Sequence, residues 1–457
     1  MPGDVFKWRQ STEEFAGSEL MQDETHDLTT AAEDDVAWKK VKFDPQGIAT
    51  KAQTERFWRI TEAAKSVFFK PGKEPVRMAP LKFRLQPQVD VTKASLSSLQ
   101  CTDRPFREYP THAFYAERHF EEKIAQGSLV PAENRGIVSS INMVAEPRNQ
   151  SKAEAKYAFM FGGDVSKVPP FQRFCIDQRN VNKSALSPAN APIRSMGDIQ
   201  RLFAGSGVGS KIDASDMFGQ FEVAPEHQIF STIRVPYSLR HKFPHAFYKS
   251  TRLPMGCSQS VELAQIAAEQ ILDSMLCILD DHAFFDGAPD DIPGSVDACL
   301  DSWEKKLQRC IDFNYKLSAP KCEICCLEMK LLGLICSSTK LRLTDEFIAE
   351  VASWECPNTV REVMSFVGLV NWAREFNPEH ADCCSVMRDE YKGHESDLKY
   401  KFVPSTRCIQ AFEKLKSMLA NPFSLYQFDP SKRLFCTADA SGDGKFKGGY
   451  AFMFFQL

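Results

Sequence analysis

The sequence predicts a mixed α+β protein in which helices and short strands follow one another without a regular repeat. Three observations carry this. A helical spacing appears at Ala113, Ala116, Phe120 and Ile124, closed by Gly127. Short strands follow at SSINMVA (139–145), RFCIDQ (173–178) and SKIDA (210–214). Capped helices return beyond residue 300, where Thr359 and Glu362 make a capping box before Val360, Val363, Val367 and Val370.

Taken in order, residues 1–40 carry ten Asp/Glu against four Lys/Arg and read as a mobile acidic leader. Residues 41–102 form an extension with scattered Pro and Gly, no repeat and no assigned function. Between the first two strands lies a long polar loop containing Arg148, Lys152, Lys156 and Lys167. FEVAP is expected as a strand, a helix follows LPMG, and CIL-DD-HAFF reads as a hairpin. A later amphipathic helix carries Ile409, Phe412, Leu415 and Leu419. FCTADASGDGKFKGGYAFMFF then reads as two strands around a Gly-rich turn.

A length of 457 residues suggests two to four domains with ample apolar content for cores. The net charge of −4 does not exclude nucleic acid, because a local basic groove can coexist with a balanced total. Fifteen cysteines in no regular framework read as reduced thiols of an intracellular protein. Cys322, Cys325 and Cys326 cluster, but no second ligand pair follows at zinc-finger spacing, which favours core over zinc. No run of ~18 apolar residues and no signal-peptide start is present, so a soluble chain with no membrane partner is expected.

The aspartate pair in CILDDHAFF (277–285) sits between apolar runs, where unpaired burial costs several kcal/mol. A surface turn explains it, and so does a metal site in which divalent cations neutralise the carboxylates. Asp213 ends the similar stretch SKIDASDMFGQ. If the two stretches are neighbours, three carboxylates could converge on two cations ~4 Å apart, an arrangement suited to in-line phosphoryl transfer. Each aspartate also has an ordinary reading as a turn or cap residue.

Seven motifs then stand in a recognisable order: RFCIDQRNVNK (173–183), IDASDMFGQFEVAPE (212–226), LPMG (253–256), ILDD (278–281), KLSAPKCE (316–323), LLGLICS (331–337) and TVREVMSFVGLVNWAREFNP (359–378). Over residues 103–455 the chain resembles the reverse transcriptase of gypsy-class long-terminal-repeat retrotransposons. The resemblance implies a right-hand polymerase with fingers and palm over 103–300, and primer grip and thumb over 301–395. A connection over 396–430 and the start of a ribonuclease H-like domain over 431–457 would follow. It implies an RNA-directed DNA polymerase using deoxynucleoside triphosphates, an RNA template, a DNA primer and Mg²⁺, with Mn²⁺ as the alternative ion.

Residue by residue, the resemblance makes Asp213, Asp280 and Asp281 the metal ligands. Arg173 would contact the incoming triphosphate, Phe218 would exclude a ribose 2′-hydroxyl, and Gln220 and Met255 would line the nucleotide side. Leu332 and Gly333 would form the primer grip, and Gly368 and Trp372 would track the minor groove. On pattern alone Arg173 is a strand-edge charge, and Phe218 and Trp372 are ordinary core. CTADAS (436–441) resembles the first ribonuclease H strand, with Asp439 as a metal-binding carboxylate. Because the sequence ends at Leu457, no ribonuclease H activity is expected.

The chain departs from the family at Ile278, where an aromatic residue is usual, and at Met255. The helix before the hairpin is about five residues short, and the fingers loop between Glu146 and Phe171 is enlarged. No protease, zinc-knuckle or integrase motif is found. The chain is expected to be part of a longer polyprotein or a broken copy, associated with cytoplasmic particles or with the nucleus, and alongside other polyprotein products. The competing readings are a catalytically silent or domesticated nucleic-acid-binding remnant, and an interaction protein whose Asp-Asp hairpin is a solvated turn.

Overall fold

The structure, a computed structural model, describes residues 36–87, 89–91, 110–133, 138–189, 203, 205–273, 276–278, 281–331, 333–377, 379–420, 425–426, 432–441 and 449–456. Residues 1–35 of the acidic leader lie outside this set.

A five-stranded sheet organises the molecule. Its strands are β1 (Lys42–Phe43), β2 (Val208–Asp213), β3 (Leu276–Ile278), β4 (Asp281–Asp286) and β5 (Glu323–Cys326), in spatial order β1-β5-β2-β4-β3. All neighbours are antiparallel except β1 and β5. In β2, Val208, Ser210 and Ile212 point to one face and are fully buried, whereas Lys211 and Asp213 point to the other. Strand alternation thus puts a carboxylate at the end of a strand whose opposite face is core.

Three helices cover that apolar face: α1 (Lys51–Ala63), α2 (Ser260–Leu272) and α3 (Ile292–Phe313). α3 starts where Asp291 accepts the Gly294 N–H at 3.0 Å and ends at Asn314 in the left-handed region. Val296, Cys299, Leu300, Trp303, Leu307 and Cys310 form its buried stripe. α1 opens with a capping box at Thr50 and Gln53. It buries Phe57, which stacks on Phe43 at 4.1 Å and lies 6.3 Å from Trp303. Trp303 Nε1 donates to Thr61 Oγ1 at 3.1 Å. The segment given no function from sequence therefore supplies a strand and a helix to the central core.

The region that the resemblance assigns to the fingers has a three-stranded sheet, a hairpin of Ser140–Ala145 with Gln172–Asp177, and the helix Pro110–Ala125. Phe120 of that helix packs on Phe243 and Tyr248. The stretch expected as a polar loop instead forms the helix Gln150–Tyr157, followed by two short turns of 3₁₀ helix. Aromatic residues explain the difference: Tyr157 packs edge-on against Phe114 and Tyr115, and Tyr115 against Phe171. Gln150 Oε1 also accepts the Phe171 N–H at 2.7 Å. FEVAP likewise is no regular strand; Glu222 and Val223 make single bridges to Arg252 and Leu81.

Beyond β5, three short antiparallel strands lead into helices Asp345–Ser353, Val360–Trp372, His380–Asp389 and Thr406–Ala420. The capping box forms as read: Thr359 Oγ1 accepts the Glu362 N–H at 3.2 Å, and Glu362 Oε2 accepts the Thr359 N–H at 3.1 Å. In Thr406–Ala420 the buried stripe is Cys408, Phe412, Leu415 and Leu419, and Ile409 is exposed. The helix is rotated so that Phe412 reaches Phe366 at 4.8 Å. The strands Leu434–Ser441 and Gly449–Gln456 form the final hairpin.

Two outcomes follow for stability. Phe57→Ala should cost about 3–5 kcal/mol in chemical denaturation, because the ring is buried between strand and helix. His227 Nδ1 accepts the Phe83 N–H at 3.0 Å, and burial, opposed by Glu226 and aided by Lys82, lowers the ring's pKa. The unfolded ring gains a proton as pH falls through about 6.5 while the folded ring resists it, so stability is lost below that pH. His227→Gln, which can accept the same bond without titrating, should flatten that loss in urea midpoints measured from about pH 7 to 5.

Candidate active site at the palm hairpin

β2 and β4 run in register with Asp213 opposite Asp281 and Ile212 opposite His282. Directly opposed residues of an antiparallel pair share a face, with Cβ atoms roughly 4.5–5.5 Å apart. Asp213 is 3% and Asp281 8% exposed, so two acids face each other at the edge of the core. Each has a lysine: Lys321 Nζ lies 3.3 Å from Asp213 Oδ1, and Lys211 Nζ 3.0 Å from Asp281 Oδ1. Burial lowers the Lys211 pKa, but Asp281, then Asp213 and Glu323, outweigh it and leave the group raised and charged. β3 pairs Ile278 with Asp281. Asp280, between them in sequence, lies outside the described residues.

The loop after β2 is held from two sides. Asp216 adopts the left-handed region at φ 46° and accepts from Lys123 Nζ of the fingers helix at 2.8 Å, in a largely buried ion pair. The short helix Met217–Gln220 follows. Phe218 is half-buried there, with part of its ring against the central core. Gln220 is buried and its carboxamide is engaged by backbone: Nε2 donates to Ser215 O at 2.5 Å and Lys316 O at 3.0 Å. Gln220 Oε1 accepts the Lys316 N–H at 2.7 Å. Gln220, expected on the nucleotide side, ties the loop after Asp213 to the segment after α3.

Met255 is half-exposed in the turn before α2, and Asn182 fastens this turn to the fingers. Asn182 Nδ2 donates to Gly256 O, and its Oδ1 accepts the Ser258 N–H, both at 2.9 Å. Gly256 has φ 92°, and a Cβ there would lie 3.3 Å from Ile176 O, so glycine suits the turn on both counts. Arg173 sits in the fingers hairpin opposite Val144, 3.9 Å from Glu146. Arg179 bonds Asp177, while Lys152 and Lys183 are exposed. The side chain of Arg148 is not among those described.

Gly333 has φ 75° in the tight turn joining Leu331 to Leu334, and Leu332 lies outside the described residues. Gly368 is exposed with open space where a Cβ would be, and Trp372, one turn on, is half-buried. With the exposed Met364 they give the helix Val360–Trp372 one accessible face. Asp439 pairs with Ala451 in the final hairpin; its side chain is not described.

Three features escape motif reading. The first is the Lys123–Asp216 pair, 93 residues apart in sequence. The second is Lys211, whose signal was its place two residues before Asp213. The third is His282, fully buried, with both ring nitrogens lacking hydrogen-bond partners among the described residues. Burial, with Lys306 adding, pushes its pKa down to about 3, so it is neutral and belongs to the core. Cys322 is likewise a core thiol, pushed up to about 12 by burial.

Two opposed carboxylates fit a hard divalent cation, which prefers anionic oxygen donors. Among the described residues no third His, Cys, Asp or Glu completes a cluster with them. Asp213 and Asp281 are the described residues that could hold such a cation. No helix of the described residues is long and apolar enough to cross a membrane.

No protein-family model matches the chain. Its fold is similar to a foamy viral protease-reverse transcriptase in complex with double-stranded DNA, at TM-score 0.67 and 18% identity, covering 95% of this chain and 83% of that one. A second foamy viral structure, with an RNA/DNA hybrid, gives TM-score 0.67 at 17% identity, covering 95% and 53%. The architecture is the right-hand α+β fold of a reverse transcriptase. The relatives in sequence are retrotransposon polyproteins. The retrovirus-related Pol polyprotein from transposon 297 of Drosophila melanogaster is 25% identical over 347 residues, covering 73% of this chain and 29% of that protein. The transposon Tf2-3 polyprotein of Schizosaccharomyces pombe is 24% identical over 313 residues, covering 67% and 21%. The chain thus spans less than a third of the curated relatives it matches.

Gln220→Leu tests the clamp on the loop after Asp213. It leaves the Lys316 N–H without its acceptor and should lower stability by roughly 1–3 kcal/mol in denaturant titration.

Proposed function

We propose that this chain is an RNA-directed DNA polymerase that extends a primer 3′-hydroxyl on an RNA or DNA template with deoxynucleoside triphosphates. The observation that carries the proposal is the opposition of Asp213 and Asp281 at the end of the central sheet of a reverse-transcriptase fold. Asp213, Asp281 and Asp280 would hold Mg²⁺, or Mn²⁺. When bound, such ions supply Lewis-acid activation of the attacking hydroxyl and neutralise charge on the departing pyrophosphate.

The remaining roles belong to the chain itself. Gln220 and the Lys123–Asp216 pair hold the loop after Asp213, so the carboxylate is positioned before substrate arrives. Phe218 lies five residues on, where a rigid aromatic edge offers a ribose 2′-hydroxyl no partner and little room. Arg173 would turn from Glu146 to the triphosphate through its planar guanidinium. Met255 and the Asn182-braced turn would border the nucleotide, Leu332 and Gly333 the primer end, and Gly368 and Trp372 the duplex minor groove. Asp439 would be the first carboxylate of an attached ribonuclease H-like domain. Such a polymerase would act with other products of its polyprotein, in cytoplasmic particles or in the nucleus.

Ile278 favours a second reading, a remnant that binds nucleic acid without polymerising. Primer extension separates the two. The purified chain should extend a DNA primer with Mg²⁺, and Asp213→Asn or Asp281→Asn should lower the rate by about 100-fold or more. Wild-type chain that binds primer-template without extending it would favour the remnant.

Phe218→Val should raise ribonucleotide insertion relative to deoxyribonucleotide, read by single-nucleotide kinetics beside a thermal melt. A lowered melt with unchanged sugar preference would make Phe218 packing alone. Binding to primer-template should weaken steeply with salt through the exposed Lys152 and Lys183.

A further inference from the structure

We propose that Lys211 is a built-in counter-ion that holds Asp281 while no metal is bound and moves to Glu323 when one binds. The inference rests on the metal-site reading above and names a positioning residue for it. Lys211 lies on β2 between two acids of different strands. On one side its Nζ is 3.0 Å from Asp281 Oδ1. On the other, Glu323 of β5 is its direct partner in the sheet register, so both side chains share a face.

The residue opposite Lys211 on β4 is Ala283, whose small side chain leaves the diagonal path to Asp281 open. Glu323 bonds Lys42 Nζ at 2.6 Å, and the Lys42 side chain is 58% exposed. Lys42 can therefore release Glu323 to water at little cost, since exposed ion pairs contribute little. Across the face the charges alternate through Lys42, Glu323, Lys211 and Asp281, and Asp213 with Lys321 lies beyond.

The physical need is plain. Two carboxylates opposed at the edge of the core repel unless a cation lies nearby. A divalent ion at Asp281 would in turn repel an ammonium still bonded to that carboxylate. Bound metal takes over the screening of the two carboxylates, moving Lys211 by one strand spacing removes its repulsion from the ion, and Glu323 is already in register to receive it. Lys211 thereby keeps the metal-free palm folded, at the expense of metal affinity.

The test uses the full chain, with Mg²⁺ binding by calorimetry and thermal melts in EDTA and in saturating Mg²⁺. Lys211→Met should bind Mg²⁺ about tenfold tighter than wild type. Its melt should fall in EDTA and recover in Mg²⁺. Lys211→Arg, which keeps the charge, should stay within about twofold of wild type. Glu323→Gln, which removes the receiving acid, should bind Mg²⁺ about threefold more weakly. Unchanged or weaker Mg²⁺ binding by a folded Lys211→Met overturns the inference alone. If Lys211→Met does not fold, unchanged binding by Glu323→Gln overturns it. Absence of Mg²⁺ binding by the wild type, or binding that survives Asp213→Asn, overturns the metal-site reading and this inference with it.

Discussion

Two negative charges placed face to face on adjacent strands are the constraint on which this structure turns. Asp213 and Asp281 are opposed by register and largely withdrawn from water. Isolated ionised carboxylates in such a place would be strongly unfavourable. Lys211 and Lys321 meet the constraint within the protein, and a divalent cation would meet it more fully. A sheet that served only as core would have apolar residues at these positions.

The rest of the palm serves to fix that opposition. One face of β2 is closed by Val208, Ser210 and Ile212 against the helices, so the strand cannot slip by one residue without exchanging core for charge. His282, neutral and buried beside Ile212 in register, extends the same inner layer. α3 spans beneath the sheet, and α1 adds Phe57 from a segment some 240 residues earlier. The loop after β2 is then fastened by Gln220 below and by Lys123 from the fingers. The fingers are joined again through Asn182 and the turn at Gly256.

Much of this was legible where a residue's neighbours are local. The hairpin around the Asp-Asp pair, the strand ending at Asp213 and the Thr359–Glu362 box follow from alternation and capping over a few residues. What was not legible depends on distant partners. Phe57 is an ordinary aromatic until Trp303 and Phe43 are beside it. The helix Gln150–Tyr157 sits in a polar stretch and is stabilised by aromatics on other elements. Ile409 fits the helical stripe, yet the packing of Phe412 on Phe366 turns it to solvent. Gln220 lies in a motif but spends its amide on Lys316, nearly a hundred residues away. Motif order pointed to the class of fold; only tertiary contacts show which motif residues face outward and which brace the loop after Asp213.

The central claim is that Asp213 and Asp281 are jointly a metal site. Anomalous diffraction from crystals of the chain with primer-template, an incoming deoxynucleotide and Mn²⁺ addresses it directly. Two anomalous peaks about 4 Å apart, coordinated by both carboxylates, are the result this account requires. Bound nucleic acid and nucleotide with no peak at this pair, or peaks held by other residues, would contradict it.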